Sequence, residues 1–127
     1  MIIQHNPQLN DLFVSKLAES TGLLLRTDPH TRGLYATDAS LYQVPPIGVL
    51  CPNSVDQIPE LLCLCNEHNL PVLMRGGGTS LAGQCLSQAI VIDTSQACSR
   101  LLDIDPEQGI CRVEPGLTID DLNDQIT

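Results

Sequence analysis

The stretch Val72-Leu73-Met74-Arg75-Gly76-Gly77-Gly78-Thr79-Ser80-Leu81-Ala82-Gly83-Gln84 decides how this chain is read. Three apolar residues run directly into three consecutive glycines, so a short strand delivers the backbone into a turn with no Cβ atoms. Consecutive glycines cost backbone entropy on folding, and their presence calls for a physical reason. Without Cβ atoms the main chain can adopt positive φ, a ligand can approach it closely, and successive amides can converge on an anion. Thr79 and Ser80 add hydroxyl donors, and Arg75 adds a fixed positive charge able to pair with a phosphate or with an acidic side chain of the protein. Read by itself, the loop fits either a phosphate cradle or a tight turn between strands. Two familiar phosphate loops fail. The G-x-G-x-x-G pattern begun at Gly76 and Gly78 would need glycine where Leu81 stands. Gly78 and Gly83 have Walker A spacing, but Gln84 and Cys85 replace its lysine and its magnesium-binding hydroxyl, which removes support for nucleoside triphosphate hydrolysis.

On the N-terminal side of the loop, residues 47–50 read as an apolar strand closed by Pro52. Ser54 and Gln57 have capping-box spacing, and Ile58, Leu61, Leu62 and Cys65 are predicted to form the buried face of the helix that follows. Pro59 is unsuited to a helix interior, so the regular helix is expected to begin near it. Strand, helix and strand in this order predict a parallel β-α-β unit. Further upstream, Asn6-Pro7 pairs a capping side chain with a first-turn proline; Leu9, Leu12, Phe13 and Leu17 share a helical face, and Gly22 stops it. Residues 27–46, with Pro45-Pro46, are expected to be irregular and extended over the surface.

On the C-terminal side, Ile90-Val91-Ile92 reads as a fully buried strand. Leu102 and Ile104 alternate with Asp103 and Asp105, Cys111 and Val113 with Arg112 and Glu114, and Pro106-Glu107-Gln108-Gly109 lies between, which predicts a hairpin. Thr118 and Asp121 open a helix with apolar positions Ile119, Leu122 and Ile126. The sequence stops inside that helix with no glycine cap, so a continuation beyond Thr127 is expected. The predicted fold class is α+β: a β-α-β unit extended by a strand and a β-hairpin, with helices packed against the sheet.

The 127 residues bound a single core. Hydrophobic residues make up 43% of the chain and charged residues 17%, a globular composition. The formal net charge of −9 opposes general binding to phosphate backbones, although backbone amides can still hold one nucleotide. No apolar run approaches the roughly 20 residues that span a bilayer, and the first residues lack signal-peptide features, so a cytoplasmic location is expected. The six cysteines show no C-x-x-C spacing and the three histidines are scattered. No metal site is predicted, and the cysteines are read as reduced thiols, several of them in the core.

Several of these elements together carry a resemblance. Residues 75–84 resemble the pyrophosphate-binding loop of the FAD-binding domain of vanillyl-alcohol oxidase-type flavoproteins, the p-cresol methylhydroxylase type. Tyr35-Ala36-Thr37-Asp38-Ala39-Ser40-x-Tyr42 with the prolines after it resembles the start of that domain. Ile92-Asp93-Thr94-Ser95 resembles its strand after the loop, and Val113-Glu114-Pro115-Gly116-Leu117-Thr118 with Leu122-Asn123 its next turn and helix. The match covers residues 35–127 in the family's order. It implies a helix and lead-in over residues 1–34 and the first lobe of the FAD-binding domain over residues 35–127. Within the family these residues look most like D-lactate, glycolate and D-2-hydroxyglutarate dehydrogenases; a reductase of cell-wall nucleotide-sugar precursors has a related loop but a less similar start. The resemblance implies an oxidoreductase that removes hydride from a 2-hydroxy acid, with Arg75, Gly76, Gly77, Gly78, Thr79, Ser80, Gly83 and Gln84 binding FAD. Relatives with covalent flavin often carry histidine where Thr79 stands, so a non-covalent, dissociable FAD is expected. The resemblance places the catalytic residues, the second FAD-binding lobe, the substrate cap and any iron–sulfur cluster outside this chain, so residues 1–127 alone are expected to hold FAD weakly and to be inactive. A non-catalytic nucleotide- or anion-binding module and an interaction domain with purely structural glycines are the competing readings.

Overall fold

The computed structural model describes residues 9–126. Helix α1 (Asp11–Thr21) starts where the Asn10 side chain accepts a hydrogen bond from the Phe13 amide at 2.8 Å, and stops at Gly22, whose amide donates to the Ala18 carbonyl at 3.0 Å. The predicted start at Asn6-Pro7 lies outside the described residues. Phe13 and Leu17 are buried and Leu9 packs against the core, but Leu12, expected on the same face, is exposed. Residues 27–46 are not irregular throughout. They contain α2 (Pro29–Leu34), started by Asp28, which accepts from the Thr31 amide at 2.8 Å, and by Pro29 in the first turn. So short a helix has no apolar periodicity, and Asp28-Pro29 at its start was its sequence signal.

Strand β1 (Gly48–Leu50), a 3₁₀ turn (Val55–Gln57) and α3 (Ile58–Glu67) follow. The capping box predicted at Ser54 and Gln57 does not form. Gln57 instead accepts from the Asn53 amide at 2.7 Å and donates to the Thr21 carbonyl at 3.0 Å, tying the start of α3 to the end of α1. Pro59 sits in the first turn, where its missing N–H has no intrahelical partner to lose. α3 buries Leu61, Leu64 and Cys65; Leu62, predicted on this face, is rotated off it by the helical step of about 100° and is 42% exposed.

β2 (Val72–Arg75) and β3 (Ile90–Asp93) run parallel to β1, as the strand–helix–strand spacing predicts for β1 and β2, and the sheet order is β1-β3-β2. β3 pairs with both neighbours, Ile90 opposite Gly48 on one side and Val72 on the other. The strand–helix–strand unit is therefore split by the later strand. All four residues of β3 are buried, and the centre of the sheet is where such a strand covers both faces and satisfies both edges. Phe13 and Leu17 of α1, Leu61 and Cys65 of α3, Leu50, Ile90 and Ile92 form one core. At the outer edge of β1, Arg26 and Val49 exchange backbone hydrogen bonds at 3.0 and 2.9 Å.

β4 (Leu101–Asp105) and β5 (Ile110–Val113) form the predicted hairpin as a separate two-stranded sheet, closed by Asp105, which accepts from the Glu107 and Gln108 amides at 3.1 and 3.0 Å. Its apolar residues Leu102, Ile104 and Ile110 are largely exposed. In α4 (Ile119–Ile126) the predicted cap forms: the Thr118 hydroxyl accepts from the Asp121 amide at 3.1 Å and donates to its carboxylate at 2.6 Å. α4 buries none of its described residues.

Candidate functional site

Because β1, β2 and β3 are parallel, their carboxyl ends lie along one edge and deliver Cys51, the glycine loop and Asp93 to the same place. The loop leaves β2 at Arg75. None of the backbone amides of residues 76–81 donates a hydrogen bond to another described residue. Six successive donors at the end of a parallel strand are thus uncommitted among the described residues, as an anion-binding turn requires. Gly78 has φ +67°, which favours glycine, and a Cβ there would stand 2.4 Å from Nη2 of Arg75 and displace the guanidinium. The far half of the loop is closed by Ser80, whose hydroxyl accepts from the Ala82 and Gln84 amides at 3.3 and 3.1 Å and donates to Oε1 of Gln84 at 2.9 Å. The ring of Tyr42 lies against Gly83.

Arg75 turns beneath the loop. Its guanidinium donates to the carbonyls of Thr37 at 2.9 Å, Cys85 at 3.1 Å and Tyr35 at 3.4 Å, and lies 5.2 Å from the centroid of the Tyr35 ring. The Tyr35 hydroxyl donates to the buried carboxylate of Asp93, which also accepts from the Ser95 amide at 2.8 Å. Burial first, and the Asp93 carboxylate second, push the Tyr35 hydroxyl above the ordinary tyrosine range. The neighbouring Cys51 thiol is raised by burial and then by the Asp93 charge. Asp38 accepts from the Ser40 amide at 2.9 Å and the Cys85 amide at 3.4 Å; hydrogen bonding from Ser40, ahead of that from Cys85, holds its carboxyl below the ordinary range.

Behind the loop, buried Glu114 accepts from the Arg100 amide at 2.9 Å and pairs with its guanidinium at 2.7 Å, which lowers its carboxyl below the ordinary range. The next turn brings the Gly116 amide to 2.7 Å from the Cys98 carbonyl, and the carbonyl of Pro115 faces Gly76.

The structure thus brings together Gly76, Gly77, Gly78, Thr79, Ser80, Gly83 and Gln84 as one loop, with Arg75 at its root. Asp93, Asp38 and Tyr42 were absent from the predicted site. Tyr35, Asp38, Tyr42 and Asp93 stood in the motifs that carried the resemblance, but their contacts cross dozens of residues and no local spacing announces them. All six cysteines are free thiols; of the several expected in the core, Cys65 and Cys98 are buried. No group of His, Cys, Asp or Glu among the described residues is arranged to hold a metal ion.

A protein-family model described as an FAD binding domain matches residues 46–127. The chain belongs to this FAD-binding domain family. It is 38% identical over 91 residues to D-2-hydroxyglutarate dehydrogenase of Escherichia coli strain K12, a match covering 69% of this chain and 9% of that protein. It is 35% identical over 92 residues to glycolate oxidase subunit GlcD of Bacillus subtilis strain 168, covering 70% of this chain and 20% of the relative. The chain therefore spans less than a quarter of the length of these relatives. Among solved structures, an alkyldihydroxyacetonephosphate synthase superimposes with a TM-score of 0.78 at 19% identity, over 98% of this chain and 26% of that one. p-Cresol methylhydroxylase does so with a TM-score of 0.65 at 21% identity, over 90% of this chain and 23% of that one. These two likenesses show the α+β fold of p-cresol methylhydroxylase-type FAD-binding domains. The uncommitted amides of residues 76–81 are the kind of donor that such a cofactor's pyrophosphate would need, since an anion can be held by main-chain donors without a basic surface.

Proposed function

We propose that this chain is the first FAD-binding lobe of a longer cytoplasmic flavoenzyme that oxidises a 2-hydroxy acid such as D-2-hydroxyglutarate, glycolate or D-lactate. The observation that carries the reading is the run of uncommitted backbone amides at the carboxyl end of β2, in a chain whose relatives bear the names of 2-hydroxy-acid enzymes. Gly76, Gly77, Gly78, Thr79 and Ser80 would hold the pyrophosphate of FAD through their amides, with Gly83 and Gln84 shaping the far side of the loop. Bound FAD would supply the hydride acceptor, and this lobe's task is to hold it in place while other residues grip the acid. Thr79 provides no nucleophile suited to a histidyl-type flavin link, so the cofactor dissociates on denaturation without a covalent adduct. No described helix is long and apolar enough to cross a membrane.

The test is an anaerobic absorbance spectrum of the longest form in which this chain is expressed, recorded before and after adding each acid. A flavin spectrum that one acid bleaches supports both cofactor and reaction. A flavin spectrum that no acid bleaches retains the cofactor and removes the reaction. Absence of flavin after FAD is supplied removes both and favours a non-catalytic anion-binding module.

A further inference from the structure

Given that the loop holds FAD as proposed above, we propose that Arg75 is a positioning residue rather than a phosphate ligand, and that it acts as a clamp fastening residues 35–38 to the glycine loop. The guanidinium stands at the root of the loop, where a phosphate partner would be sought, yet it is committed to the protein. Three carbonyls from two separate segments, those of Tyr35, Thr37 and Cys85, accept from it, and the Tyr35 ring stacks beside it. Gly78 wraps over its outer side so closely that a Cβ would strike Nη2.

The other jaw of the clamp is anchored independently. Tyr35 reaches across to Asp93 at the end of β3, Asp38 accepts from the Cys85 amide, and the Tyr42 ring rests on Gly83. The loop between β2 and residue 85 is therefore held at its root, its end and its far turn by residues 35–42, while the amides of residues 76–81 stay uncommitted among the described residues. The pyrophosphate is met by main-chain donors whose geometry the clamp sets. A planar fork suits this task and an ammonium does not: lysine keeps the charge but cannot bridge carbonyls on two segments while stacking on a ring.

The test compares Arg75→Lys with Arg75→Ala by two readouts. The first is the dissociation constant for FAD in the longest expressed form. The clamp predicts that Arg75→Lys weakens FAD by about tenfold or more, nearly as much as Arg75→Ala, because several charge-assisted hydrogen bonds are lost in both. Affinity within about threefold of wild type for Arg75→Lys, with a large loss only in Arg75→Ala, would mean that charge alone matters and would overturn the proposal. The second readout is amide hydrogen exchange without FAD. Both variants should speed exchange at Val44, Gln84 and Cys85, whose amides bond to Ala36, Ser80 and Asp38, and leave Leu70 and Ile90 in the core unchanged. Exchange that rises everywhere marks a merely structural residue, and exchange that rises nowhere marks no clamp; either result overturns the idea. If the arginine variants fail to fold, Tyr35→Phe removes the hydroxyl's bonds to Asp93 and Cys51 while keeping the ring beside Arg75, and should still speed exchange at Val44. If the wild type binds no FAD, the cofactor reading falls, and the exchange arm alone decides the clamp.

Discussion

Replacing Gly116 by alanine should be the most damaging single-methyl substitution in the turn behind the glycine loop. A Cβ at this position would stand 2.0 Å from the Thr94 carbonyl oxygen and 2.7 Å from that of Cys98. Both obstacles are main chain and both are engaged: the Thr94 oxygen accepts from the Cys98 amide at 3.3 Å, and the Cys98 oxygen accepts from Gly116 itself at 2.7 Å. Relief of the clash must part these bonds, at a net cost of about 1 kcal/mol each. Residual overpacking of a buried turn adds about 1–3 kcal/mol. The sum is about 3–5 kcal/mol, and at roughly 4 °C per kcal/mol for a chain of this size the melting temperature should fall by about 12–20 °C. Thermal and urea unfolding followed by circular dichroism measure it. Gly33→Ala is the matched control. Gly33 lies in α2 with nothing within 4 Å of its virtual Cβ and no positive φ, so alanine there should stabilise by about 0.5–1 kcal/mol. Gly116→Ala melting within about 2 °C of wild type would refute the reasoning, because a clash of that depth with two hydrogen-bonded carbonyls cannot be absorbed silently.

The chain has two tyrosines and no tryptophan, so in Tyr42→Phe the tyrosinate absorbance reports Tyr35 alone. The folded Tyr35 binds its proton more tightly than the unfolded one, so its contribution to stability is full below pH 10.0 and is lost as pH rises beyond it; Asp93→Asn should move the titration down towards the ordinary value. Glu114 has the opposite sign: its carboxyl is lowered by Arg100, so its contribution is present above pH 4.5 and lost as pH falls through its lower folded value, and Glu114→Gln should flatten the acid limb of a urea-midpoint titration. In the folded chain a thiol reagent should modify exposed Cys63 and Cys111 first, and Cys65, whose thiol burial pushes up to about 11, only on unfolding; equal rates would contradict the burial described. Asn10→Ala should cost about 1 kcal/mol in the same unfolding assays, since it removes the side-chain cap of α1.

What the sequence by itself determined was local. The apolar run ending in Gly76-Gly77-Gly78, the hairpin around Gly109, the Thr118 cap and the Gly22 stop each arise from a few neighbouring residues whose φ, hydrogen bonding or polarity admits few alternatives, and together with the ordered motifs they were enough to place the chain in its family. The tertiary structure decided what depends on residues far apart. Strand order is one such matter: the apolarity of β3 predicted a buried strand, but its place between β1 and β2 follows from competition among whole strands for the centre of the sheet. The partners of Arg75 are another. A cation beside three glycines can be read from its neighbours as a phosphate ligand or as half of an ion pair within the protein. Its partner Thr37 lies 38 residues away, and the Tyr35–Asp93 bond spans 58. No pattern of period two or 3.6 encodes such contacts, because they exist only once the sheet has brought three strand ends to one edge.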